Sequence, residues 1–151
     1  MTNGLTESLA DCTPEELAFW EFSSPSDPLV LRDEAPVQVY DLEERTARFG
    51  ETVVLFAKKI PWNPVNNRLI DQIVGAGTSV GANYCEADDG VSKADFKHRI
   101  GTCRKEARET KFFLRIIAVA EPKLKLEARE IWLEAHALHL IFSRIWRSTK
   151  I

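Results

Sequence analysis

Hydrophobic positions recur at helical spacing through most of this 151-residue chain, and no stretch alternates as a strand would. The first long stripe is Leu42, Phe49, Val53, Phe56 and Ile60, with Thr46 filling the remaining place in a 4-3-4-3-4 rhythm. It predicts an amphipathic helix ended by Pro61 and Pro64, since proline cannot continue a helix interior. A second helix is expected over residues 66–89, with Ile70, Ile73, Gly77, Val80, Tyr84 and Ala87 on one face. A third, over residues 92–120, carries Phe96, Ile100, Cys103, Ala107, Leu114 and Ile117. A fourth follows Pro122, where Leu124, Ala128, Ile131, Ala135, Leu138, Phe142 and Ile145 keep a 4-3 alternation.

Capping chemistry supports these limits. Asp41 precedes the first helix with Glu44 three residues on, and Ser92 precedes the third with Asp95 three residues on. Gly90 suits a terminal left-handed position after the second helix. Short connections between long helices require antiparallel neighbours. The expected fold is therefore all-α, an antiparallel up-down-up-down four-helix bundle over residues 37–151. Before it lies an acidic, partly flexible extension, residues 1–36, with a short helix at 13–22 begun by Thr13, Pro14 and Glu16.

The second helix contains an expensive feature. Gly75, Gly77 and Gly81 each cost about 1 kcal/mol against alanine in a helix interior. With Thr78, Ala82 and Cys85 they form small-residue faces that let other helices approach closely. Gly75, Gly77, Thr78, Gly81 and Ala82 are thus expected to pack against helices or further copies of the chain. Trp132 and Trp146 join them, from a flanking stripe (with His136, His139 and Ser143) wider than one bundle core needs.

Charge refines the picture. The net charge of -3 divides into an extension with eight acids against one base, and a remainder with 19 bases against 15 acids. Between Val91 and Arg115 eight bases face three acids. Lys93, Lys97, Arg104, Arg108, Lys111 and Arg115 share one face there, the best candidate for binding nucleic-acid backbones. No aromatic residues alternate with these bases along the helix, and no reader motif is present, so sequence-specific recognition is not expected. Glu86, Asp88 and Asp89 sit at the unfavourable end of the second helix dipole and call for nearby cations. Three cysteines without metal-ligand spacing fit free thiols in a reducing cytoplasm. No apolar run is long enough to cross a bilayer, and the acidic N-terminus is not a secretory signal.

The segments YDLEERTARFGE, GTSVGANYCEAD, SKADFKHRI and CRKEARETKFFLR resemble the four-helix-bundle proteins linked to 23S ribosomal RNA intervening sequences. The resemblance runs over residues 40–146 and omits the extension. It implies a ring-like homopentamer whose biochemical role is mostly unassigned. A related branch, the accessory proteins of diversity-generating retroelements, forms a basic pentameric barrel that engages a reverse transcriptase and nucleic acid; this chain looks more like the intervening-sequence branch.

No catalytic, cofactor or metal site is expected. The glycines lie mid-helix, where they cannot cradle a phosphate, and His136 with His139 lacks a completing ligand. Two functions follow as expectations. One is a self-associating scaffold that binds RNA or DNA through its basic face. The other is an adaptor that holds a protein partner through its arm or its ring surface.

Overall fold

The computed structural model describes residues 9, 11–22 and 41–151, and the chain divides into two units, Met1–Val39 and Tyr40–Ile151. Expected flexibility in residues 1–8, 10 and 23–36 lies outside the described residues. In the first unit, α1 (Pro14–Phe19) starts with the capping box expected of it. The Glu16 N–H donates to Thr13 Oγ1, and the Thr13 N–H donates to Glu16 Oε2, both at 3.1 Å. The indole of Trp20 meets Phe19 edge-on at 4.8 Å.

The second unit holds four long helices: α2 (Leu42–Ala57), α3 (Pro64–Asp88), α4 (Lys93–Ala120) and α5 (Lys125–Ser148), the last preceded by one tight turn at Pro122–Leu124. No strand occurs among the described residues. Sequential helices pack on each other, whereas α2 and α5 meet only sparsely. Cross-helix pairs fix the directions. Val53 faces Gly77 and Thr46 faces Gly81, so α2 and α3 run antiparallel; Glu86 pairs with Arg99 at one end of α3–α4, and Asn66 with Glu121 at the other. Phe56, Ile73, Ile100, Leu114, Ile117, Leu138 and Phe142 fill the core with no more than 2% of their surface exposed.

Local signals set the helix ends. Asp41 accepts from the Glu44 N–H at 3.0 Å, and Ser92 accepts from the Asp95 N–H at 3.1 Å. Pro64 acts differently from its expected role as a terminator. With Asn63 as cap, accepting from the Asn66 N–H at 2.8 Å, it occupies the first turn of α3, where its missing N–H costs nothing. Asn66 is buried, and its amide donates to the Pro61 carbonyl and to Glu121, tying the α2–α3 loop to the end of α4. Gly90 corrects a second expectation, because no described glycine has positive φ. Its value is space: a methyl there would lie 2.9 Å from the Ala87 carbonyl oxygen and 3.0 Å from the Asp95 carboxylate.

The glycines of α3 also separate. A methyl on Gly77 would fall 2.7 Å from a Val53 methyl, and one on Gly81 would come within 3.1 Å of Thr46 Oγ1. Both therefore set how closely α2 approaches. Thr46 tolerates burial because its hydroxyl donates to the Leu42 carbonyl at 2.6 Å. Gly75 is exposed with nothing within 4 Å of where its methyl would stand, so within the chain it packs against no described residue. Thr78 and Ala82 are exposed as well.

Opposite responses to the same substitution follow. Gly75→Ala should stabilise the fold by about 0.5–1 kcal/mol through helix propensity. Gly77→Ala should destabilise it by about 1–3 kcal/mol, because Val53 is buried and β-branched and has little room to turn. Urea denaturation of the two variants checks this; shifts of the same sign would contradict it.

Candidate nucleic-acid interface

α4 and α5 carry their chemistry at matching heptad spacing. Lys97, Arg104 and Lys111 lie seven residues apart on α4, and Trp132, His139 and Trp146 lie seven apart on α5. Because the helices are antiparallel, the two series face each other as a ladder. Lys97 Nζ sits 4.3 Å from the centre of the Trp146 ring, and the Arg104 guanidinium carbon sits 4.4 Å from it. Gly101 lies between those two cations in sequence, and a methyl there would come within 3.2 Å of the indole nitrogen. The indole thus rests on Gly101, in a slot that any larger residue would fill.

Lys111 repeats the arrangement two turns further on. Its Nζ stands 4.8 Å from the Trp132 ring centre and donates to His136 Nδ1 at 2.8 Å. An ammonium cannot accept, so Nδ1 presents its lone pair and a neutral His136 carries its proton on Nε2. Trp132 and His136, one turn apart, stack with ring centres 5.2 Å apart and planes 3° from parallel. A cation over an indole gains about 0.5–2 kcal/mol, more as the pair loses water. The ring presents electron density without neutralising the charge, unlike a carboxylate.

His139, between the two tryptophans, registers the resulting field. Burial first, then Lys111, His136, Arg108 and Arg104, push its pKa down from 6.5 to about 4. With Lys111 on His136 Nδ1 and three cations acting on His139, this pair of histidines is poorly placed to hold a metal cation. Cys103 is buried within the bundle and its thiol is pushed up to about 12, chiefly by burial, so it is protonated at neutral pH. Cys85 is exposed, its Sγ 4.0 Å from Glu43 Oε1.

The expected six-residue basic stripe therefore divides. Lys97, Arg104 and Lys111 are half-buried on the rings, whereas Lys93, Arg108 and Arg115 are exposed. Among the described residues neither Lys97 nor Arg104 is paired with a carboxylate. Arg99, on the same helix, does pair with Glu86 at 2.6 Å, the compensation expected at the acidic end of α3. Aromatic rings do accompany the bases after all: α5 supplies them, so no alternation along α4 could show them. Trp132 and Trp146, expected at packing positions, are the platform of the ladder. The shared seven-residue step in the two helices is the signal that joins them.

No protein-family model matches this chain, and no curated protein does. Its fold does match a crystal structure from Bacteroides thetaiotaomicron, a protein with unknown function from the S23 ribosomal protein family. The TM-score is 0.62 and the identity 25%, over 70% of this chain and 98% of that one. The match supports the all-helical bundle. No helix among the described residues is long and apolar enough to cross a membrane.

Two measurements check these environments. His139 has a folded pKa below its unfolded value, so below pH 6.5 the unfolded chain takes up a proton that the folded chain refuses. Stability should be insensitive to this group above pH 6.5 and fall as pH drops from 6.5 towards 4; His139→Gln should flatten that part of the curve in urea titrations. Alkylation of the native protein at pH 8 should modify Cys85 readily and leave Cys103 unmodified until the chain unfolds. Rapid labelling of native Cys103 would contradict its placement.

Proposed function

We propose that this chain is a non-enzymatic, self-associating helical scaffold whose α4–α5 face holds the phosphate backbone of RNA or DNA without sequence preference. One observation carries the reading: Lys97 and Arg104 are held in place by an indole instead of a carboxylate, so both keep their full charge for a ligand. Preplaced side chains have little remaining rotamer freedom to lose on binding, which favours binding per contact. Phosphate contacts of this kind position a polyanion but read no bases.

The resemblance to bundle proteins linked to 23S ribosomal RNA intervening sequences supports RNA as the polyanion. The ribosomal-protein family name of the structural neighbour points the same way. The resemblance also supports a homopentamer, which would repeat the ladder around a ring and multiply weak contacts. A scaffold is preferred to an enzyme because the titratable groups of α4 and α5 are ill placed for catalysis: the Cys103 thiol is buried in the core and its pKa is raised, and His139 is half-buried among Lys111, Arg108 and Arg104.

Gel shifts over a salt series, using ribosomal RNA fragments and unrelated RNA and DNA of equal length, test the proposal. Lys97→Gln with Arg104→Gln keeps two methylenes of each stem and removes two charges. Affinity should fall to a similar extent for every sequence, and the slope of log K against log salt should become shallower by about 1 per cation removed. Lys58→Gln, at the exposed residue just past the C-terminal end of α2, should change neither. Unaltered binding by the double variant would overturn the assignment of this face.

A further inference from the structure

One exposed ridge and one exposed groove of the bundle match each other in spacing, polarity and size. The groove, of about 670 Å³, runs between α2 and α3. Glu43 and Glu51 mark its α2 edge, Val54 and Leu55 form its wall, and Gly50 and Ala82 keep it shallow. Leu55 is 62% exposed. The ridge is the outer face of α4, where Phe112 is 58% exposed and Val119 66%, beside the exposed Arg108. Buried positions of α4 (Cys103, Ala107, Leu114, Ile117) face the core, so this side of the helix packs on no other helix of the bundle.

The two patterns have the same steps. Arg108, Phe112 and Val119 are separated by four and then seven residues, as are Glu43, Ala47 and Val54. Each series spans about 16 Å at the rise of an α-helix. A ridge laid parallel to α2 therefore brings Arg108 beside Glu43, Phe112 over Ala47 and Gly50, and Val119 against Val54. A large ring meets small side chains, a cation meets an anion, and apolar meets apolar. Neither Arg108 nor Glu43 has an ion pair among the described residues. Anchors at i and i+7 in a groove are the usual way one helix recognises a pair of others.

We infer that the α4 ridge around Phe112 seats in the α2–α3 groove of a second copy of this chain. Ridge and groove occupy different helices, so the contact is heterologous: each copy offers its ridge to one neighbour and its groove to another. The inference rests on the self-association proposed above and names the surfaces that carry it. It also gives the outer cation, Arg108, a separate role from Lys97, Arg104 and Lys111, which remain on the tryptophan side of α4.

Light scattering on the full chain after size exclusion tests it. Wild-type protein should be multimeric, and Phe112→Glu or Leu55→Glu should each reduce the mass to that of a monomer, with helix content retained. Mixed in equal amounts, these two variants should form a dimer and nothing larger, because one has an intact groove and the other an intact ridge. Arg108→Glu and Glu43→Arg should each weaken assembly, and the two together should restore it. A monomeric wild type would overturn self-association and this contact with it. A multimer that all four single changes leave intact would overturn only the ridge-and-groove contact, and a double charge swap no better than its parents would overturn the stated register.

Discussion

The fold depends on how closely α2 and α3 approach at Gly77 and Gly81. A methyl at Gly77 would overlap Val53, and one at Gly81 would press on Thr46, so helix propensity is given up to let the two backbones close. The approach has two consequences on opposite sides of the interface. Inwards, Val53, Ile73 and Val80 meet in a core without measurable exposure. Outwards, small residues leave too little bulk to fill the space between the helices, and a shallow apolar groove remains above Gly50 and Ala82. The same economy that tightens the core leaves an unfilled surface.

The sparse seam between α2 and α5 is closed differently. Arg45 reaches Glu134 through two nitrogens at 2.6 and 3.2 Å, and Lys59 reaches Glu127 at 2.7 Å. These pairs are partly exposed, and such pairs contribute about 1 kcal/mol or less each. They orient α5 more than they hold it. Its attachment comes from the extensive α4–α5 face, where Trp146 inserts over Gly101 and Trp132 lies beneath Lys111. A glycine thus admits the neighbouring helix on each side of the bundle, once for valine and once for tryptophan.

Much of this was legible in the sequence wherever the governing physics is local. Asp41 and Ser92 cap because a side-chain oxygen three residues before a free N–H can reach it, and the 3.6-residue period places Phe49, Ile100 and Leu138 inside. Pro64 and Gly90 were misread because each residue has two uses. Proline ends a helix or opens one, and glycine supplies either a left-handed turn or mere room; only the surrounding backbone decides. Gly75 was indistinguishable from Gly77 by residue type, since what separates them is a valine on another helix. The cation stripe and the aromatic stripe were each visible, but their registration was not. It depends on a long-range pairing in which Lys97 meets Trp146 across 48 intervening positions.

That pairing bears directly on what the surface can do. A lysine paired with a carboxylate is neutralised at short range and must break the pair before it can serve a phosphate. A lysine held on an indole is ordered at small electrostatic cost, and both charge and geometry remain available. His139 lies in the same region, and burial first, then Lys111, His136, Arg108 and Arg104, lower its pKa from 6.5 to about 4. The bundle therefore separates two tasks that surface cations usually combine. Arg99 and Arg45 pair with glutamates and hold helices together, whereas Lys97 and Arg104 rest on the Trp146 ring with no carboxylate paired to them among the described residues. The proposed binding of a polyanion without regard to sequence rests on that separation, because charges fixed by rings would contact phosphates without reading bases.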